Sequence, residues 1–169
     1  EERGELKAGN QIIEATSRNT GIAFAMISAA RGYKCIAVMP ACMSIERLKM
    51  MEAFGAEVVL TPAEEDMAGE LKKCEELAKE NPGAWLPRQF ENQDNLEAHR
   101  LGLGMEIASQ IKPDAFVAGI GTGGTLIGVA KALRSRYTEV KIVGVEPAES
   151  AVLSGGLPGL HKIQGIGEG

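Results

Sequence analysis

Two segments of the chain carry the residue types that bind anions, namely hydroxyls, side-chain amides and glycines. The first is TSRNTG at residues 16–21, and the second is GIGTGGTLIG at residues 119–128. Glycine lets the backbone approach an anion closely, and Thr hydroxyls can donate hydrogen bonds to phosphate or carboxylate oxygens. Such segments work best where a loop opens a helix, because a helix N-terminus has unpaired N–H groups and a partial positive charge.

The elements that must position these segments follow an α/β pattern. Apolar runs of strand length alternate with helical patterns, which predicts parallel βαβ units. The expected strands lie near residues 11–14, 34–39, 57–61, 84–87, 114–120 and 140–146, and the expected helices at 20–31, 44–54, 63–80, 94–111 and 124–136. The runs KCIAVMP and AFVAGI are almost entirely apolar, as is typical of strands covered by helices on both faces. Ligands in such sheets bind at the carboxyl ends of strands, where both segments lie.

A polar stretch near the middle of the chain predicts a division into two lobes. Asn and Asp crowd into RQFENQDN at residues 88–95, between two periodic segments. A boundary belongs in such a stretch, because few core contacts cross it. We expect a small parallel-sheet lobe over residues 1–92 and part of a larger lobe over residues 93–169.

Composition excludes several classes of partner. The net charge is −5 with scattered Lys and Arg residues, which argues against a nucleic-acid surface. No run approaches the eighteen or so apolar residues of a membrane span. Cys35, Cys42 and Cys74 form no CxxC pair, and with two histidines they show no metal-ligand spacing. We therefore expect no metal site and a reducing, cytoplasmic location.

The second segment, residues 119–128, allows three interpretations. Its glycines and Thr hydroxyls suit a phosphate at the N-terminus of helix 124–136. A glycine-rich turn between strand and helix can also serve close packing alone. Gly119, Gly121 and Gly124 fit G-x-G-x-x-G, and Glu146 ends the next strand about twenty residues on, where a dinucleotide fold places its ribose-binding acid. Spacing alone therefore leaves open an NAD-binding, Rossmann-type dehydrogenase.

The first segment, residues 16–21, allows a simpler alternative. Ser17 or Asn19 could cap helix 20–31 by accepting from its first amides. A cap explains one residue, however, and not five polar residues in a row. Asn19 can donate and accept hydrogen bonds at once, so it could recognise a phenolic or carbonyl oxygen, while the neighbouring hydroxyls suit a carboxylate.

Six segments of the chain carry a family resemblance: EATSRNTGIAFAMISAARGYKCIAVMP, MSIERLKMMEAFGAEVVLTP, RQFENQDNLEAH, GIGTGGTLIGVAKAL, VGVEP and HKIQGIG. In sequence and order they closely resemble the cysteine synthase (O-acetylserine sulfhydrylase) family of fold-type II pyridoxal-phosphate enzymes, over essentially the whole chain. Cystathionine β-synthase shares the two loops, but the second and third segments are more similar to the sulfhydrylase branch. The resemblance implies a two-lobed α/β fold of the tryptophan synthase β type, each lobe with a parallel sheet flanked by helices, the second lobe incomplete. It favours pyridoxal 5'-phosphate over NAD.

The resemblance also implies which residues contact the cofactor. The positions that match the family's phosphate-binding loop are Gly121, Thr122, Gly123, Gly124 and Thr125. Asn19 matches the asparagine that hydrogen-bonds the pyridine 3-hydroxyl oxygen. Gln164 and Gly165, in the run QGIG, are similar to a loop that lines the cofactor entrance.

Substrate contacts follow from the same resemblance. Thr16, Ser17 and Thr20 match the loop that clamps the carboxylate of the amino-acid substrate, and Gln89 matches a second carboxylate contact. The implied reaction releases acetate from O-acetylserine and adds sulfide to give cysteine. Relatives are usually dimers, and sulfhydrylases bind the acidic C-terminal tail of serine acetyltransferase. A homodimer and that tail are therefore the candidate protein partners.

The chain departs from the family pattern at its reactive lysine. The family's Schiff-base lysine lies upstream of the asparagine loop, in a Ser-x-Lys segment, and no lysine of this chain matches it. Lys7, in GELKAG, matches the loop ahead of the first strand instead. We expect the Schiff-base lysine to precede Glu1, and the family's serine-bearing loop against the pyridine nitrogen to follow Gly169. The chain thus resembles the middle of an enzyme, and no catalytic residue is assigned to it.

Other departures lie close to the predicted cleft. Arg18 stands where the family has glycine, Ala15 where it has proline, and LGLGM at residues 101–105 where it has a Thr-Thr-Gly-Pro run. The Arg18 side chain either points to solvent or occupies the anion site and blocks a substrate carboxylate. These departures favour impaired activity, and the alternative is a non-catalytic relative that serves as a binding module.

Overall fold

The computed structural model describes residue 1, residues 3–16 and residues 18–167. The chain divides into two compact units, Glu1–Arg88 and Gln89–Gly169. This division falls between residues 88 and 89, whereas composition predicts the lobe boundary between 92 and 93. The assignment of residues 93–169 to a larger lobe that binds the cofactor phosphate stays a prediction. Within the described residues, no helix has both the length and the apolar character needed to cross a membrane.

The first unit is a three-stranded parallel sheet with helices on both faces. Its elements are β1 (Gln11–Ala15), α1 (Asn19–Arg31), β2 (Lys34–Pro40), α2 (Ile45–Ala53), β3 (Glu57–Thr61), a 3-10 turn (Ala63–Glu65) and α3 (Asp66–Glu80). The strand order is β1-β2-β3, with Ile13 paired with Ile36 and Val38 with Val59. Predicted and observed strands agree here to within a residue or two, which confirms the α/β pattern.

Alternate residues of the central strand β2 fill two separate cores. Ala37 and Met39 pack with Met51 of α2 on one face, whereas Ile36 and Val38 pack with the α3 side on the other. All six residues of β2 after Lys34 are buried. Each large apolar side chain buried in this way contributes about 1.5–3 kcal/mol. The prediction that KCIAVMP is covered on both faces is therefore confirmed.

The strand predicted at residues 84–87 is wrong. The described structure holds a single parallel bridge there, between Ile12 and Trp85. One residue before this run and one at its end explain the difference. Gly83 has a positive φ of 94°, which turns the backbone, and Pro87 has no N–H to donate to a ladder.

The second unit contains a parallel βαβ motif. Its elements are α4 (Gln93–His99), a π-helical segment (Arg100–Gly104), α5 (Met105–Gln110), β4 (Ala115–Gly119), α6 (Gly124–Arg134), β5 (Lys141–Val145) and two 3-10 turns (Ala148–Ser150 and Val152–Ser154). Strands β4 and β5 pair in parallel, with Phe116 opposite Ile142. Both side chains pack on a core that contains Val129 and Leu133 of α6.

Two sequence expectations for this unit need correction. The helix predicted over residues 94–111 is interrupted by a π-helical segment, where Gly104 lies so close to α6 that a Cβ on it would sit 2.6 Å from the Ala132 Cβ. The run AFVAGI is not covered on both faces within the described chain, since Val117 is 58% exposed. Residues of α5 and α6 pack on the face that carries Phe116, and this leaves the Val117 face open.

Candidate functional site

The turn between β4 and α6 opens the helix without a side-chain cap. Its N-cap residue is Gly123, with φ 81° and ψ −9°, which has no side chain to cap the helix, and Thr122 Oγ1 accepts from the Gly124 N–H only at the long distance of 3.5 Å. A positive φ of this size favours glycine because it has no Cβ. The first N–H groups of a helix lack acceptors within the helix, and the helix dipole adds partial positive charge. This terminus is therefore suited to an anion.

Two other glycines of this turn allow neighbouring segments to approach closely. A Cβ on Gly121 would lie 2.5 Å from the carbonyl oxygen of Gly165, and a Cβ on Gly124 would lie 2.4 Å from Oδ1 of Asn95. Close packing thus explains these two glycines. It does not explain the uncapped start of α6, so the anion-binding interpretation keeps independent support.

The hydroxyl of Thr122 is held by a side chain that the sequence patterns did not single out. Asn95 on α4 donates from Nδ2 to Thr122 Oγ1 at 2.9 Å and to the backbone oxygen of Gln89 at 3.1 Å. The resemblance predicts Gln89 as a substrate contact, whereas the sequence pattern marks Asn95 only as part of a polar boundary. One amide therefore links the predicted phosphate-binding turn to the segment that carries Gln89.

A histidine lies beside the other predicted phosphate-binding threonine. The His99 Nε2 atom is 3.3 Å from Thr125 Oγ1, and both residues are half-buried. The close packing of α4 against α6 brings the two side chains together, since a Cβ on Gly128 of α6 would lie 2.7 Å from the His99 Cβ. Sequence spacing gave no sign of the pair, since its members lie 26 residues apart.

The predicted entrance loop packs against the same turn. Gly167 N donates to the Ile120 oxygen at 2.9 Å, and the Gly165 carbonyl lies beside Gly121. Nε2 of His161 is 3.4 Å from the Gly167 oxygen, which braces the loop from within. Gln164 is exposed. The second unit thus brings together Gln89, residues 121–125 and Gly165.

The first polar segment, residues 16–21, opens α1 in the first unit. Thr16 is only 3% exposed, and its Oγ1 accepts from Gly21 N at 2.9 Å. The side chain bound to an early amide of α1 is therefore Thr16, and not Asn19, which is exposed at the first helical position. Thr20 is half-buried beside it, and Ser17 lies outside the described residues. The assignment of Thr16, Ser17, Asn19 and Thr20 to ligand contacts stays a prediction.

Arg18 is the N-cap residue of α1, and its side chain is half-buried. Burial lowers the pKa of the Arg18 guanidinium, the charge of Arg47 lowers it further, and the Glu70 carboxylate opposes both effects. Glu70, on α3, is itself only 2% exposed. The guanidinium thus lies in the field of two charged side chains of its own unit, which does not fit a side chain that simply points to solvent.

Glu146, the acid on which the dinucleotide alternative depends, has another use in the structure. Its carboxylate accepts from Ser154 Oγ and from Leu153 N, each at 2.7 Å. The bond from the Ser154 hydroxyl, helped by backbone amides, holds the pKa of Glu146 below its ordinary value. This carboxylate fastens the turn at Val152–Ser154, so the NAD interpretation loses its structural support.

Parallel strands flanked by helices, with a glycine-rich turn that opens a helix directly after a strand, define an α/β protein with a helix N-terminus suited to an anion. The chain belongs to the pyridoxal-phosphate dependent enzyme family, which it matches over residues 1–169. It is similar to a cysteine synthase of Staphylococcus aureus, with 51% identity over 172 residues that cover 100% of this chain and 55% of the relative. The chain therefore spans about half the length of the curated relatives it matches.

Solved structures agree with this membership. The crystal structure of cysteine synthase from Entamoeba histolytica matches with a TM-score of 0.93 and 45% identity, covering 99% of this chain and 50% of that chain. The O-acetylserine dependent cystathionine beta-synthase from Helicobacter pylori matches with a TM-score of 0.94 and 43% identity, covering 98% and 55% respectively. The fold expected from the resemblance is thereby confirmed, and the chain is a partial version of it.

Proposed function

We propose that the protein acts as a cysteine synthase-type enzyme that uses pyridoxal 5'-phosphate to replace the acetate of O-acetylserine by sulfide. The observation that carries the proposal is the uncapped, glycine-rich start of α6, with Thr122 oriented beside it by Asn95. Family membership supports the cofactor, and the names of the relatives support the reaction.

The residues of this turn fit a phosphoryl group. The first N–H groups of α6 and the hydroxyls of Thr122 and Thr125 are donors, and residues 119–125 contain no acidic side chain that would repel an anion. Gly123 supplies the left-handed backbone that the turn requires. When bound, the cofactor supplies a ring that withdraws electrons from the α-carbon of the amino acid. The protein's task is to fix the phosphoryl group so that this ring is held in one orientation.

The start of α1 is proposed to hold the amino-acid end of the site. Asn19 is exposed at the first helical position and can donate to a phenolic oxygen, while Thr20 and the amides of this terminus suit a carboxylate. Thr16 fixes the shape of the turn through its bond from Gly21. Gln89 is the proposed second carboxylate contact.

A direct test uses the full-length protein that carries this chain. After pyridoxal 5'-phosphate is added and the unbound cofactor is removed, the protein should retain visible cofactor absorbance. The loaded protein should then release acetate from O-acetylserine in the presence of sulfide. Thr122→Val removes a hydroxyl at nearly constant shape and should weaken cofactor uptake, whereas Thr138→Val removes an exposed hydroxyl and should not. A wild-type protein that shows neither absorbance nor acetate release would refute the proposal.

A second candidate function is a non-catalytic binding module, and Arg18 is the observation that favours it. An arginine in the carboxylate-binding turn could fill the anion site. Its half-buried position near Arg47 and Glu70 instead favours a guanidinium held within the first unit. Arg18→Gly in the full-length protein should then change the KM for O-acetylserine by less than about threefold. A large gain in activity would show that Arg18 blocks the site, and would support the binding module.

Three further properties belong to the same proposal. We propose a homodimer, a cytoplasmic location, and binding of the acidic C-terminal tail of serine acetyltransferase. The resemblance supports the dimer and the tail. The free thiols of Cys35, Cys42 and Cys74 support a reducing compartment.

A further inference from the structure

We propose that Asn95 is a positioning residue that sets the donor direction of Thr122 and couples the phosphate-binding turn to the segment of Gln89. The inference rests on the proposed function, because it assigns a role within the same site. Its starting point is one side chain on α4 that bridges two segments predicted to contact different parts of the ligand.

Both hydrogen atoms of the Asn95 amide are used. One N–H is directed to Thr122 Oγ1 at 2.9 Å, and the other to the Gln89 backbone oxygen at 3.1 Å. A carbonyl oxygen can only accept, so the contact with Gln89 fixes which end of the amide is Nδ2. Because Thr122 Oγ1 accepts from Asn95, its own proton is left to donate elsewhere. Asn95 thereby makes Thr122 a donor for an anion.

The acceptor end of the same amide lies against α6. Asn95 Oδ1 sits where a Cβ on Gly124 would come within 2.4 Å, so only glycine permits this approach. The start of α4 is fixed in turn by its N-cap residue, Asn92, which accepts from Asp94 N at 2.9 Å. The amide therefore has a rigid base on α4 and a close-fitting contact on α6. A group held in this way can define where a neighbouring hydroxyl points.

The experiment compares variants of the full-length protein reconstituted with pyridoxal 5'-phosphate. Asn95→Asp keeps the shape of the side chain but cannot donate from an ionised carboxylate, and it adds negative charge beside the turn. Asn95→Ala removes both bonds without adding charge. Asn81→Ala is the matched control, because it removes an asparagine amide that bonds a helix terminus in the first unit, where Asn81 Nδ2 donates to the Leu77 oxygen at 2.8 Å. The readouts are the Kd for pyridoxal 5'-phosphate, the 31P chemical shift of the bound cofactor and the melting temperature of the apoprotein.

We expect Asn95→Ala to raise the Kd about fivefold to tenfold, and Asn95→Asp to raise it further, with a shifted 31P resonance in both. Asn81→Ala should lower the melting temperature while leaving the Kd within twofold and the 31P shift unchanged. A purely steric role predicts that Asn95→Leu, which fills nearly the same space without either bond and without charge, binds the cofactor like wild type, and that result would overturn the inference. Equal effects at Asn81 and Asn95, in proportion to lost stability, would also overturn it. Failure of the wild-type protein to bind the cofactor would refute the proposed function itself, a result distinct from both.

Discussion

Gly124→Ala tests how tightly α4 and α6 are fitted at the proposed site. The new Cβ would lie 2.4, 2.8 and 2.9 Å from Oδ1, Cγ and Nδ2 of Asn95, so the whole amide must move. Losing its two hydrogen bonds costs about 0.5–1.5 kcal/mol each, and overpacking adds about 1–3 kcal/mol. The better helix propensity of alanine returns about 1 kcal/mol. The expected net loss is about 3 kcal/mol of unfolding free energy, together with weaker binding of pyridoxal 5'-phosphate.

The matched control is Gly102→Ala in the neighbouring π-helical segment. A Cβ on Gly102 meets nothing within 4 Å, so the same substitution should leave stability unchanged or raise it by up to about 1 kcal/mol. Urea denaturation of the full-length protein, followed by far-UV circular dichroism, measures both variants. If Gly124→Ala falls within about 0.5 kcal/mol of Gly102→Ala, the close fit described for Asn95 is refuted.

Three further predictions concern other parts of the chain. Leu133→Ala should lower the free energy of unfolding by about 2–5 kcal/mol, because the Leu133 side chain is 0% exposed. Leu160, which is 100% exposed, is the control, and Leu160→Ala should change that free energy by less than about 0.5 kcal/mol. Equal losses in the two variants would contradict the place of Leu133 in the core. Burial, reinforced by nearby carboxylates, raises the pKa of the Cys74 thiol to about 12. A thiol reagent at pH 8 should therefore modify the exposed Cys42 quickly, and Cys74 only after unfolding. Fast labelling of Cys74 in a folded Cys42→Ser variant would contradict this. Glu146 should titrate by carbon-detected NMR with a midpoint below 4.5, because its pKa is lowered in the folded state. The Glu146 carboxylate therefore stabilises the turn fully above its unfolded pKa, and this contribution is lost as the pH falls through the folded pKa. A midpoint at or above 4.5 would contradict the hydrogen bonds described for this carboxylate.

Local patterns were sufficient to predict most of the elements. The buried strand β2 and the glycine-ended helix α1 follow from an apolar run and from Gly32, whose φ of 73° ends the helix in a left-handed residue. The apolar run at residues 84–87 predicts a strand, but Gly83 and Pro87 prevent a regular ladder there. The break in the helix predicted over 94–111 also escaped, since its cause is packing against α6 and not local propensity.

The candidate site was predictable only in part. The glycine-rich turn could be found because its residue types, and its place between a strand and a helix, have a direct physical meaning. Asn95 could not be found in this way, because its partner Thr122 lies 27 residues further on and the contact depends on how α4 packs against α6. The same holds for the Gly165 carbonyl beside Gly121, and for Thr16, whose hydroxyl serves α1 from within the fold. Contacts between elements that are distant in the sequence are set by packing, and the local sequence pattern does not reveal them.

The most direct test of the central claim compares pyridoxal 5'-phosphate with pyridoxal, which lacks the phosphoryl group, in binding to the full-length apoprotein. If the start of α6 holds that group, at least two charge-assisted hydrogen bonds of about 1.5–3 kcal/mol each favour the phosphorylated form, a preference of about 100-fold or more. The preference should fall sharply in Gly124→Ala and persist in Gly102→Ala. Equal binding of the two compounds by wild type, or an unchanged preference in Gly124→Ala, would contradict the placement of the phosphate at this turn.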